Sequence, residues 1–174
     1  VQANRQSVSD RLTGGVAALM RANRITVVNG EAVFTGPKTV SVGGKSLSAD
    51  KVIIATGSHP IMPPIPGVSE CAACIDSTGA LTLDHVPESM LVIGGGVIGI
   101  ELGSVYQRFG TRVTIVEMLP KLLPLMDAEL TGMVRAQLEA AGMEILTDSA
   151  VLSVADGENG ALVRVRTPAG EREI

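Results

Sequence analysis

The sequence predicts an α/β fold, and three observations carry that prediction. An apolar run, Met90–Ile93, leads into Gly94-Gly95-Gly96, and Gly99 completes a G-x-G-x-x-G pattern. A helical pattern follows, with Ile98, Leu102, Val105 and Phe109 at spacings of four, three and four. A second apolar run, Val113–Val116, then ends in an acid, Glu117. Strand, glycine turn, helix, strand and acid is the order of parts in a dinucleotide-binding unit. The expected architecture is therefore Rossmann-like and three-layered, a parallel sheet plus a β-meander, with part of a second α/β domain ahead of it.

Each glycine of the pattern has a physical task. Gly94 turns the chain sharply off the strand. Gly95 continues that turn, and Gly96 lacks the Cβ that would keep a pyrophosphate at a distance. Gly99 lets the helix lie close to the sheet. The helix start, at Val97 and Ile98, aims unsatisfied N–H groups and a partial positive charge at the phosphates. Glu117 would accept hydrogen bonds from the adenosine ribose hydroxyls, each contributing about 1.5–3 kcal/mol. It would meet a 2′-phosphate at like charge, at a cost of about 4 kcal/mol per charge pair at ~4 Å and an effective dielectric near 20. The expected cofactor is NAD rather than NADP, with nearby Lys121 the one cation able to soften the preference.

The remaining elements follow in chain order. Residues 1–23 read as a helix, with Val8, Leu12, Val16, Leu19 and Met20 near one face and Gly14-Gly15 weakening it. Short β-type runs come next, Ile25–Val28, Ala32–Thr35 and Thr39–Val42, separated by turns at Gly30, Gly36-Pro37 and Gly43-Gly44. That is an antiparallel meander. Asp50–Ala55 reads as a further apolar strand ending at Thr56-Gly57-Ser58. The proline-rich stretch 59–68 must be extended. Asp76–Leu83 reads as a short helix capped by Asp76, and a domain boundary is placed near residue 88.

Beyond Glu117, Leu119–Leu125 reads as a loop and Asp127 as the N-cap of a helix striped by Leu130, Val134, Leu138 and Ala141. Gly142 ends that helix. Glu144–Leu146 is expected to be a third, parallel strand. Ala150–Ala155 and Ala161–Thr167 form a hairpin across Asp156–Gly160.

Composition excludes several classes. The 174 residues are 45% hydrophobic but only 2% aromatic, so aliphatic side chains must build the core. A net charge of −4, with no basic cluster interleaved with aromatics, argues against nucleic acid or an anionic membrane as partner. No apolar run is long enough to span a bilayer, and the polar N-terminus does not resemble a secretory leader. The chain lacks an initiator Met and stops within the strand-like Glu171–Ile174, so it reads as cut from something longer.

With these parts placed, the sequence resembles the dihydrolipoamide dehydrogenases of the class I FAD-dependent pyridine nucleotide-disulfide oxidoreductase family. The resemblance lies in LTGGVAALMRANRITVVNG, KVIIATGSHPIMPPIPG, DSTGALTLDHVPESMLVIGGGVIGIELGSVYQRFGTRVTIVE and DAEL. It implies that residues 1–88 are the later part of an FAD-binding domain with its connecting segment, and 89–174 an NAD-binding domain. It further implies that Gly94, Gly96 and Gly99 hold the NAD pyrophosphate and that Glu117 holds the ribose. Val97 would gate nicotinamide from flavin, Glu101 would pair with a lysine beside the flavin, and Val151 would make a main-chain contact at the adenine end. Ala32 and Thr56-Gly57-Ser58 would lie against FAD, a cofactor expected only in the full-length protein. On their own, Val97 and Val151 read as core valines, Glu101 as an acid on a first helical turn, and Thr56 and Ser58 as a strand end. His59 and His85 read as solvated loop residues.

The family pattern also requires an N-terminal G-x-G-x-x-G for FAD, a C-x-x-x-x-C redox pair and a catalytic His–Glu pair. None is in this sequence, nor is the lysine partner of Glu101, so the chain reads as a middle fragment without activity of its own. Cys71 and Cys74 have C-x-x-C spacing, which suits a redox disulfide or half a zinc site. They lie in the connecting loop and read as incidental, kept reduced in a cytosol, and no metal is expected. The implied parent is an oxidoreductase of the cytoplasm, or of the mitochondrial matrix in a eukaryote. It would be a homodimer that oxidises lipoamide carried on a 2-oxo acid dehydrogenase complex and reduces NAD+. The alternatives are an NADH oxidase, a mercuric reductase or a transhydrogenase of the same architecture, or a non-catalytic NAD(H)-binding module.

Overall fold

A computed structural model describes residues 1–174, which form two compact units, Val1–Ser58 and His59–Ile174. The first unit holds α1 (Gln2–Ala22) and an antiparallel sheet in the order β1 (Ala32–Gly36), β2 (Thr39–Val42), β3 (Lys45–Ser48). The helix and two of the three expected meander strands are present, with β3 an addition in place of Ile25–Val28. Gly43 and Gly44, both at positive φ, make the β2–β3 turn. Val42 packs over Gly30, where a Cβ would come within 2.9 Å of its Cγ1.

Two expected strands are absent. Ile25–Val28 and Asp50–Ala55 have the apolar composition of strands but adopt no ladder. A strand exists only through its partner's hydrogen bonds, and no other segment of the chain pairs with either. Ile53 accordingly stands 90% exposed. The apolar stripe of α1 is present too, yet Leu12, Val16 and Leu19 are all exposed.

The second unit is three layers. Its middle layer is a parallel sheet in the order β4 (Ser89–Ile93), β5 (Arg112–Val116), β6 (Glu144–Leu146). Successive side chains of a strand point to opposite faces, and the two cores divide accordingly. Met90, Val92, Val113, Ile115 and Ile145 face the helices α2 (Ser77–Thr82), α3 (Val97–Arg108) and α4 (Ala128–Ala140). Leu91, Val116 and Leu146 face the other way. There they meet the stretch Met62–Cys74 and an antiparallel meander, β7 (Ala150–Gly157), β8 (Gly160–Thr167) and β9 (Gly170–Glu173). The stretch is irregular to Ile65 and then, contrary to the expected extension through residue 68, folds into turns closed by Val68 N–H to Ile65 O and Cys71 N–H to Gly67 O. The β7–β8 hairpin closes through two residues, Glu158-Asn159, so its strands run further than expected. No helix is long and apolar enough to cross a membrane.

The buried face of α3 is not the one its large side chains predict. Of the expected face only Leu102 packs against the core, while Ile98, Val105 and Phe109 are exposed, and the buried residues are Ile100, Gly103 and Tyr106. The reason is close approach. A Cβ on Gly99 would lie 2.8 Å from Val92 Cγ1, and one on Gly103 would lie 3.3 Å from Val113 Cγ1. Two glycines, four apart, bring the helix axis down on the sheet, and only the residues beside them are covered. Counting large apolar residues misses a face made of small ones. In α4 the covered line is Thr131, Val134 and Leu138, while Leu130 and Ala141 point outward. Glu101 falls on the second turn of α3, not the first.

Two ties fix the frame. The Tyr106 hydroxyl donates to the Ala80 carbonyl, joining α3 to α2, and burial raises the phenol pKa. On the opposite face the Val154 N–H donates to Pro66 O at 2.9 Å. Gly67, at φ +85°, sits so close that a Cβ would run into the Val154 carbonyl. Gly67→Ala should therefore destabilise the protein by about 3 kcal/mol, combining backbone strain with a main-chain clash. Urea unfolding measures this, and a loss under about 0.5 kcal/mol, the usual size for a surface substitution, would contradict the packing described.

Candidate functional site

The site forms where β4 ends. Gly94 takes φ +100° and its N–H donates to Val116 O at 2.8 Å, so the chain turns while still stitched to the neighbouring strand. Gly96 is the N-cap of α3 at φ −79°, and as a glycine it provides no side-chain cap. Helix geometry leaves the N–H groups of Val97, Ile98 and Gly99 without intrahelical partners. The first closed bond is Ile100 N–H to Gly96 O at 3.1 Å. A Cβ on Gly96 would meet nothing within 4 Å. The start of α3 thus presents bare donors, and the N-terminal end of the helix dipole, to open space.

Glu117 is 9% exposed, and both of its carboxylate oxygens are held. Oε2 accepts from Gly95 N–H at 2.7 Å and Oε1 from Leu119 N–H at 2.7 Å. The carboxylate therefore faces the glycine loop across the gap between two neighbouring strand ends. A carboxylate has about four acceptor positions, so two backbone donors leave it further capacity. Gly95 has to be glycine for this arrangement. A Cβ there would clash with the Leu122 side chain and lie 3.2 Å from Glu117 Oε2. Its N–H is committed to Glu117 and its C=O to Leu123 N–H at 2.9 Å, leaving ligand donation to its neighbours.

A cleft of about 390 Å³ opens beside these groups, lined by Gly94, Glu117 and Val151 among others. Val151 stands at a β-bulge, where the β7–β8 register shifts between Val151 and Ser153. Bulges re-aim side chains and cluster beside functional sites. Three residues that sequence reasoning singled out far apart in the chain thus share one cleft. Val97 and Ile98 project outward from the first turn of α3 and Glu101 lies exposed on the second, none of them on the cleft wall. Ala32, Thr56, Gly57 and Ser58 belong to the first unit. Ala32 opens β1 opposite Val42, and Thr56–Ser58 are irregular and exposed rather than a strand end, with Gly57 at φ +75°.

Sequence reasoning missed several residues of the site. Ser149, 2% exposed, lines the cleft and donates its N–H to Glu117 O at 3.0 Å. Pro63, Pro64 and Ile65 form another wall. Leu122, 1% exposed, plugs the base of the glycine loop. A Leu-Leu pair inside a loop is the one sequence signal that hinted at burial there. Lys121 Nζ donates to Met126 O at 2.7 Å, which tethers the ammonium without neutralising it.

Other candidates have different roles. A second cleft of about 380 Å³ carries Arg135 and Arg172. Arg135 is bound to Glu139 and Thr147, and Arg172 to Glu144 at 2.6 Å, which holds the Glu144 carboxyl below its usual range. Asp76 and Asp127 cap α2 and α4 as expected. His85 pairs with Asp84 at the surface. Cys71 is buried under the Ala155 carbonyl, and Cys74 is pushed up to about 11 by burial and by Cys71 beside it. A thiol that deprotonates as reluctantly as Cys74 is a poor nucleophile at neutral pH.

Comparison with known proteins gives a consistent result. Residues 2–173 match the family described as pyridine nucleotide-disulphide oxidoreductase. A dihydrolipoyl dehydrogenase of Thermus scotoductus is 37% identical over 167 residues, covering 95% of this chain and 36% of that protein. One from Geobacillus stearothermophilus is 39% identical, covering 94% and 35%. The chain spans a little over a third of the length of these relatives. Among solved structures, the Cu(II) complex of the HOCl-induced flavoprotein disulfide reductase RclA from Escherichia coli superposes with a TM-score of 0.83. Its identity is 27%, over 99% of this chain and 39% of that one.

The two outer glycines of the pattern should separate by experiment. Gly96→Ala adds a methyl group in open space and should cost less than about 1 kcal/mol in urea unfolding. Gly99→Val drives side-chain atoms into Val92 and the Gly94 carbonyl and should cost about 2–3 kcal/mol. Equal losses at both positions would contradict the distinction between an open glycine and a packed one.

Proposed function

The chain belongs to the pyridine nucleotide-disulphide oxidoreductase family, and from that premise we propose that it is the NAD-binding segment of a dihydrolipoamide dehydrogenase. The parent enzyme would oxidise a dihydrolipoyl dithiol and deliver the electrons to NAD+ through FAD. Residues 89–174 are assigned to the NAD-binding domain and 1–88 to the later FAD domain and its connection. The observation that carries this reading is the Glu117 carboxylate held against the Gly95 N–H, beside a helix start whose donors are free.

The residues present fit a dinucleotide. Gly96 gives a pyrophosphate room to approach, and the N–H groups of Val97, Ile98 and Gly99 supply donors under a favourable helix dipole. Glu117 keeps two acceptor positions for the adenosine ribose hydroxyls. Its charge disfavours a 2′-phosphate, and Lys121 Nζ is held on Met126 O rather than on Glu117. Val151 borders the adenine end. Val97 is assigned as the gate between nicotinamide and flavin, and Glu101 as the partner of a flavin-side lysine. Ala32 and Thr56–Ser58 are assigned to FAD. When bound, the nicotinamide accepts hydride and the flavin relays electrons, chemistry that belongs to the cofactors. The chain's own part is to bind, orient and exclude wrong nucleotides. The similarity to dihydrolipoyl dehydrogenases supports lipoamide as the substrate of the whole enzyme.

Two measurements test this. Calorimetric titration should give NADH at least about tenfold tighter binding than NADPH, a fraction of the like-charge penalty. Glu117→Gln should narrow that ratio by removing the charge. Tighter binding of NADPH to the unaltered protein would overturn the cofactor assignment. Dihydrolipoamide-dependent reduction of NAD+ by the full-length protein should be robust. Nucleotide oxidation that ignores lipoamide would favour an NADH oxidase or a transhydrogenase instead.

A further inference from the structure

The loop that follows Glu117, residues 118–126, is tied to the glycine loop more closely than a connection requires. Leu123 takes φ +49°, a left-handed conformation in which a branched, bulky residue is rare and strained. In that conformation its N–H donates to Gly95 O at 2.9 Å, while its C=O accepts from Met126 N–H at 2.9 Å. Leu122 beside it is 1% exposed and fills the space where Gly95 would carry a side chain. On its other side Gly95 is held by Glu117 Oε2 at 2.7 Å.

The consequence follows from peptide geometry. All peptide bonds are trans, and in a planar trans peptide the C=O and the following N–H point in opposite directions. The Gly95 carbonyl is drawn inward to Leu123. The N–H of the same peptide unit, that of Gly96, is therefore turned away from the protein, beside the open space over Gly96. We propose that Leu123 is a positioning residue whose strained main-chain N–H, by holding Gly95 O, aims the Gly96 N–H at the phosphates of a bound dinucleotide. This rests on the reading of residues 94–99 as a pyrophosphate loop. It adds a residue outside the G-x-G-x-x-G pattern, and it gives the left-handed strain at Leu123 a purpose. Without this anchor no hydrogen bond fixes the direction of the Gly95–Gly96 peptide between its two held neighbours, and a flipped peptide would present a carbonyl oxygen to the phosphates.

The test uses ADP-ribose, which carries the pyrophosphate and both riboses without nicotinamide, and the full-length protein. Replacing Leu123 by its α-hydroxy acid analogue puts an ester oxygen in place of the N–H and keeps the side chain. ADP-ribose affinity should fall about tenfold, the worth of a lost orienting hydrogen bond, while the NADH-to-NADPH ratio set by Glu117 stays unchanged. In the unaltered protein, ¹⁵N spectra should show the Gly96 amide exchanging freely until ADP-ribose protects and shifts it. The Gly95 amide, bound to Glu117, should be protected throughout. An ester variant that binds ADP-ribose within about twofold of the original, or a Gly96 amide that ADP-ribose leaves unmoved, overturns the role of Leu123 alone. Failure of the unaltered protein to bind ADP-ribose overturns it together with the pyrophosphate reading beneath it.

Discussion

The candidate site depends on one interaction, the grip of a nearly buried carboxylate on two backbone N–H groups. Glu117 ends β5, and its oxygens take the Gly95 and Leu119 amides at 2.7 Å each. Hydrogen bonds to a charged group contribute about 1.5–3 kcal/mol, and losing one partner of a buried charge costs more than the bond itself. That single side chain therefore sets the turn after β4 and the loop after β5 in the same position. Both loops descend from adjacent parallel strands, so the sheet register, Ile93 opposite Val116, brings their ends level. An acid at this position shapes the loop as well as whatever the loop binds.

The layers around the sheet explain why this end is available. Helices α2, α3 and α4 cover one face and the β7–β9 meander covers the other, so both faces of the strands are apolar. The strand ends are left to carry function, as in open α/β sheets generally. The stretch Pro63–Ile65 and the bulge at Val151 belong to the meander side, and they form the wall across from Glu117. The long proline-rich connection is thus part of the site rather than a neutral linker.

Most of this was legible in the sequence. The β4–α3–β5 unit, the loop to Asp127, both acidic caps, the third parallel strand and the final hairpin follow from periodicity and turn chemistry. What failed did so for physical reasons. Ile25–Val28 and Asp50–Ala55 carry strand composition, but a strand is a property of a pair, and composition cannot supply the partner. The motif identifies Gly99 as a packing residue of α3, but Gly103 carries no motif and hydrophobicity counts ignore it, so the face that the large side chains suggest is not the one buried. Of the residues around the cleft, the glycines, Glu117 and Val151 are singled out by motif and resemblance. Ser149, Leu122 and Leu123 are not, because the first and last contribute a backbone bond, and the only trace of the buried plug is an apolar pair inside a loop.

The most direct measurement of the central claim is a crystal structure of the full-length protein with NAD+ bound. The account predicts the pyrophosphate on the amides of residues 96–99 and the adenosine ribose hydroxyls on Glu117, with the bonds from Gly95 and Leu119 intact. A nucleotide seated elsewhere, or a Glu117 carboxylate swung out of the gap between the two strand ends, would contradict it.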